Sequence, residues 1–137
     1  MPRKNGAAAE VFLSHSSRNA AFAKRLVKLL DGRGIPSFHS PTSIKGAQQW
    51  HDEIGAALAR CRWFLLVLSP DAVASRWVKL EFLFALDQKR YRNRIIPVVY
   101  RKCDQAKLSW TLASVESIDF RKDFGAASAE LLRVLEA

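Results

Sequence analysis

The chain has 137 residues, 49% of them hydrophobic, and a formal charge of +9. That length suits one domain around one packed core, and no apolar run is long enough to span a bilayer. Neither Cys61 and Cys103 nor the histidines fall at metal-ligand spacing, so no metal is expected, and the cysteine usage fits a reduced, cytoplasmic compartment.

Much of the basic excess sits in Lys89, Arg90, Arg92, Arg94, Arg101 and Lys102. It reads as a solvated face, as an attraction for anionic ligands, or as a match for the acidic patch of a partner. No helix carries a regular basic stripe and no aromatics interleave with the cations, so nucleic acid is not an expected partner; with no spanning run, neither is a membrane.

Residues 1–9 are basic and small, with no apolar segment of a secretory leader, and are expected to form a tail. Residues 10–137 read as a single domain. Glu10–Ser14 is a buried strand. Ser16 and Ser17 cap a helix to about Asp31, with Phe22, Leu26, Leu29 and Leu30 on one face, and Gly32 and Gly34 end it. Ile35–Phe38 is a short strand, placed at a sheet edge because Pro36 cannot donate to a ladder. A loop runs from His39 to Ala47. A helix from about Gln48 to Arg60 turns Ile54, Ala57, Leu58 and Cys61 inward. Trp63–Leu68 is unbroken apolar sequence, the mark of a strand covered on both faces. Ser69-Pro70-Asp71 is a turn, and Ser75 caps the next helix. Arg94–Tyr100 is a further buried strand, and Pro97 within it requires a neighbouring strand that is short at that level. Glu116–Phe120 alternates as a half-exposed edge strand does. Asp123 caps a last helix, with Phe124, Leu131, Leu132 and Leu135 on one side.

Strands alternating with helices imply a parallel sheet covered on both faces. With the second and fifth strands at the edges, the order is 2-1-3-4-5, a flavodoxin-like three-layer α/β/α fold with five parallel strands. Ligands bind such sheets at the carboxyl ends of the strands, where the strand order reverses. Three segments meet there: 14–17, 39–50 and 69–81. The third holds Ser75-Arg76-Trp77-Val78-Lys79-Leu80-Glu81, in which Trp77 and Glu81 lie four apart and share one side of a helix. An aromatic plate beside a poorly solvated acid suits a cationic aromatic ring attached to a sugar. Glu81 also reads as a surface acid or a structural one, and Trp77 as a core aromatic. The 14–17 turn offers backbone N–H groups and hydroxyls to a phosphate, or is plain helix capping.

Val11–Ser16, Gly34–Trp50, Trp63–Ser69 and the Ser75, Trp77, Val78, Glu81 set, in that order and at these spacings, resemble a TIR (Toll/interleukin-1 receptor/resistance) domain over nearly the whole chain. The likeness leans toward small bacterial TIR proteins of phage-defence systems such as Thoeris. Two positions depart from the family pattern. Ser40 stands where an acid is common, and Ala47 stands near a common glycine.

The resemblance implies cleavage of NAD+, as substrate rather than cofactor, between nicotinamide and ribose. Nicotinamide leaves a pyridinium as a neutral base, so no general acid is needed. One anion beside the oxocarbenium-like transition state suffices. By the resemblance Glu81 is that catalytic anion, and Ser14, His15, Ser16, Ser17, Phe38, Ile44, Trp50 and Trp77 line the substrate site. The product is ADP-ribose or a cyclic isomer. The resemblance also implies self-association with other TIR domains. The alternative is a non-catalytic adaptor, with Glu81 and Trp77 structural and the Lys89–Arg94 segment and the 39–50 loop as contact surfaces. No G-x-S-x-G, Walker or G-x-G-x-x-G pattern occurs. A phospho-receiver would need an aspartate where Ser69 stands.

Overall fold

The computed structural model describes residues 10–39 and 47–136, with backbone alone over 47–51. The expected tail at 1–9 lies outside the described residues. The strands are β1 (Val11–Ser14), β2 (Ser37–His39), β3 (Trp63–Leu68), β4 (Ile95–Val99) and β5 (Ile118–Asp119). They form one parallel sheet in the order 2-1-3-4-5, as expected. The helices are α1 (Ala20–Asp31), α2 (Ala47–Arg60), α3 (Pro70–Val73), α4 (Arg76–Leu86) and α5 (Phe124–Glu136).

The two-residue period of the strands divides the core into two halves. Val11, Leu13, Leu65, Val67, Ile96 and Val98 meet Phe22, Leu26 and Leu30 of α1 and Leu131 and Leu135 of α5. Phe12, Phe64, Leu66 and Leu68 meet Ile54 and Leu58 of α2, Ala72 of α3, and Val78 and Phe82 of α4. β3 is therefore apolar at every position because both of its faces are covered.

Several boundaries differ from those read in the sequence, each for a local reason. The Ser16 hydroxyl accepts from the Arg18 N–H at 3.2 Å and opens a short 3₁₀ turn, Ser17–Asn19, so α1 starts only at Ala20. Ala23 is buried in α1, whereas Leu29 sits at the edge of the buried face. Gly34 takes φ +69° to turn the chain out of α1, and the Ile35 N–H returns to the Leu30 carbonyl. β2 then begins at Ser37, beyond Pro36, whose carbonyl still accepts from Val11. Ser69-Pro70-Asp71 opens α3 rather than forming a bare turn. Ser69 Oγ caps it by accepting from the Ala72 N–H at 3.0 Å, and Pro70 occupies the first turn, where a missing N–H costs nothing.

Pro97 fits because of register. The Val99 carbonyl accepts from the Phe120 N–H, so alternate residues of β4, Pro97 among them, point their backbone groups toward β5. Pairing with β5 begins only at Val98–Ile118, and Pro97 has no ladder partner to disappoint. β5 is shorter than the expected Glu116–Phe120. Asp119 turns its carboxylate back onto the Arg121 N–H and guanidinium at 2.8–2.9 Å and ends the ladder.

Candidate functional site

Ser14 follows Phe12 by two residues, so its side chain lies on the face of the sheet that α4 covers. Glu81 lies on the inward arc of α4 with Val78, Phe82 and Ala85. The two meet at the carboxyl end of β1, where Ser14 Oγ donates to Glu81 Oε1 at 2.7 Å. Both are buried, and Glu81 is only 3% exposed. A carboxylate so removed from water needs hydrogen-bond donors around it, and Ser14 is one of them. The helix that carries it is anchored by Ser75, whose Oγ accepts from the Val78 N–H at 3.2 Å, the cap read from the sequence.

His15 lies next to this pair. Its Nδ1 donates to the Ser16 carbonyl at 2.8 Å, because the carbonyl can only accept, and Nε2 is therefore the acceptor nitrogen. Nε2 is buried without a hydrogen-bond partner among the described residues. Burial lowers the His15 pKa from its ordinary 6.5. The bond to Ser16 opposes that shift and the neighbouring His39 adds to it. His39, at the tip of β2, has its ring centroid 6.2 Å from that of His15.

The other expected site residues divide. Ser16 is spent on capping the 3₁₀ turn, and Ser17 is exposed. Phe38 packs against Phe12 with ring centroids 5.5 Å apart and lies under the Arg60 guanidinium at 5.6 Å, so it continues the core beneath the strand tips. Ile44 lies outside the described residues, and of Trp50 only its backbone place in the first turn of α2 is described. Trp77 shares a flank of α4 with Glu81 but not its depth: it is 50% exposed, not a core aromatic.

A second polar junction escaped the sequence reading. Ser69 Oγ donates to Asn19 Oδ1 at 2.6 Å, and Asn19 Nδ2 donates to Asp71 Oδ2 at 3.2 Å. It ties the end of β3 to the start of α1 on the opposite face of the sheet from Ser14 and Glu81. The signal available was an Asn directly before an apolar helix, paired with the Ser-Pro-Asp segment.

A groove of ≈ 770 Å³ opens at the other end of the sheet, lined by Ile95 and Ile96 of β4, Ser117 and Ile118 at β5, and Glu130 and Val134 of α5. It holds none of the residues at the carboxyl ends of the strands. The chemistry of an oriented, buried carboxylate belongs at the Ser14–Glu81 junction and not in the groove. Among the described residues no cluster of His, Cys, Asp and Glu could hold a metal ion.

The family model of the TIR domain matches residues 11–134. No curated protein matches the chain. Among solved structures, the chain resembles the TIR domain of the Toll-related receptor TRR-2 from Hydra magnipapillata. They share 20% identity at a TM-score of 0.76, over 93% of this chain and 98% of that one. It resembles the TIR domains of the activated Roq1 resistosome, which recognises the pathogen effector XopQ, at 16% identity and a TM-score of 0.71, over 93% and 99%. A metazoan TIR-STING receptor from C. gigas, solved with 2′,3′-cGAMP, is similar at 20% identity and a TM-score of 0.75. There the chain covers 93% of itself and 39% of the receptor. Likenesses at these identities establish the fold.

Proposed function

Because this chain belongs to the TIR domain family, we propose that it cleaves NAD+ at the bond between nicotinamide and ribose, with Glu81 as the catalytic anion. The observation that carries the reading is the buried Glu81 carboxylate, oriented by Ser14 at the carboxyl end of β1. In the reaction the C1′–N1 bond breaks and its electron pair goes to the nicotinamide nitrogen. Positive charge then develops on the ribose, where a fixed anion in a water-poor site stabilises it best. Water captures C1′ and releases a proton, giving ADP-ribose. Capture by an adenine nitrogen gives a cyclic isomer. Trp77, four residues before Glu81 on α4, offers a ring face to the nicotinamide, and His15 an acceptor nitrogen to a hydroxyl.

The activated Roq1 resistosome contains TIR domains, and self-association is part of the proposal for this chain also. We extend the proposal to a signal made in the cytoplasm during antiviral defence, on the sequence resemblance to small bacterial TIR proteins alone.

The test is nicotinamide release, followed by chromatography, from concentrated protein with a crowding agent. The wild-type chain should release nicotinamide, and Glu81→Gln should lower the rate by about a hundredfold or more while unfolding at a similar denaturant concentration. Equal turnover by the variant would remove Glu81 from the mechanism. No turnover by wild type in the assembled state would favour the adaptor reading.

A further inference from the structure

Helix α4 is apolar nearly all round, yet only one side of it is covered. Val78, Phe82 and Ala85 face the core. Trp77, Leu80, Leu83, Phe84 and Leu86 are each 41–50% exposed, and they are five of the seven large hydrophobic residues exposed among the described residues. Spacings of three and four join Leu80, Leu83 and Phe84 into one continuous outward stripe, with Trp77 at its edge toward Glu81. A helix of this kind is ordinarily buried, and a contiguous apolar patch on a surface marks an interaction site.

The charges around the stripe are mostly basic. Arg76 and Lys79 stand on the outward side of its first turn, and Lys89 and Arg92 follow its end; all four are exposed. None of them belongs to an ion pair among the described residues. Between Arg76 and Arg94 the chain holds two acids against six cations, the buried Glu81 and the exposed Asp87 at the end of the helix. Two copies meeting through this face would press cation against cation in a chain already at +9. On the same side of the sheet, the 3₁₀ turn Trp110–Ser114 packs its Leu112 into the core shared with Val78 and Phe82 and carries Trp110, 80% exposed.

We propose that the outward face of α4 docks on an anionic lipid bilayer. Leu80, Leu83 and Phe84 enter the boundary between headgroups and acyl chains, and Arg76, Lys79, Lys89 and Arg92 sit at headgroup level, with the lysine stems lying along the apolar surface. No helix among the described residues is long and apolar enough to cross a membrane, and a helix lying in the interface need not be. The inference is independent of NAD+ cleavage.

The test is co-sedimentation of the full chain with phosphatidylcholine vesicles, with and without phosphatidylserine. The wild-type chain should sediment with the anionic vesicles, stay in the supernatant with the neutral ones, and be released from the anionic ones by added salt. Leu83→Glu with Phe84→Glu, and separately Lys79→Glu with Lys89→Glu, should each weaken binding on the order of tenfold or more. All four positions are exposed, and circular dichroism verifies the fold of both variants. In the wild-type chain, vesicles with brominated acyl chains should quench tryptophan fluorescence. Absence of quenching, equal binding to neutral vesicles, or wild-type binding by the Leu83/Phe84 variant overturns the proposal. A lipid-free dimer that the Leu83/Phe84 variant dissociates also overturns it and assigns the face to a second copy.

Discussion

The Ser14–Glu81 contact joins two residues 67 positions apart in a place where neither meets much water. A donor lost there leaves a buried carboxylate short of one bond, which costs about 1–3 kcal/mol. Ser14→Ala should therefore lower the urea midpoint measurably. If Glu81 acts as proposed, it should also slow nicotinamide release about tenfold, less than Glu81→Gln does. A variant that loses stability but keeps its full rate would make the contact purely structural. His15 supplies a pH signature. Its pKa in the folded chain lies below the ordinary 6.5, because burial disfavours the imidazolium. The unfolded chain then takes up a proton at a pH where the folded chain does not. The contribution of His15 to stability is full above 6.5 and is lost as pH falls through its folded pKa. Thermal unfolding followed across that window should show a steeper acid decline for wild type than for His15→Asn, which has no titrating ring.

At the scale of elements, α4 was legible because its signals are local. A serine stands before the helix, where its Oγ can cap it, and no glycine or proline interrupts the residues that follow. Ser75→Ala removes the acceptor for the Val78 N–H and should cost about 1 kcal/mol, read as a lower denaturant midpoint with unchanged slope. The same locality made β3, α2 and α5 readable. The short elements were not, because single side-chain bonds set their ends. Ser16 diverts the start of α1 into a 3₁₀ turn, and Asp119 closes β5 after two residues by gripping Arg121. Hydrophobic period alone carries no information about either bond. The depth of Trp77 was not readable for a related reason. Two residues four apart share a flank of a helix, but the rotation of α4 against the sheet decides which of them is covered.

For the whole molecule, the core on the α4 side turns on Phe64. Its ring stacks on Phe12 at 5.4 Å and meets Phe82 at 6.4 Å and Tyr91 at 6.0 Å, so one side chain joins β1, β3, α4 and the 3₁₀ turn Lys89–Tyr91. Phe64→Ala should cost about 3–5 kcal/mol, a large share of a small domain's stability, and show as a strongly lowered urea midpoint. That cluster also sets the depth of Glu81, since Phe82 beside it is locked against the sheet.

By itself, the sequence determined the alternation of strands and helices, the parallel sheet and its order, and the gathering of 14–17, His39 and 69–81 at one end. Period, chain length and the handed connections of a parallel sheet leave few other arrangements. Only the tertiary structure decided that Ser14 turns toward Glu81, that Ser69 turns away to Asn19, and that half of an apolar helix stays uncovered. Those outcomes depend on strand register and on the rotation of α4 against the sheet. Both are settled by how distant side chains pack together, which no stretch of neighbouring residues encodes.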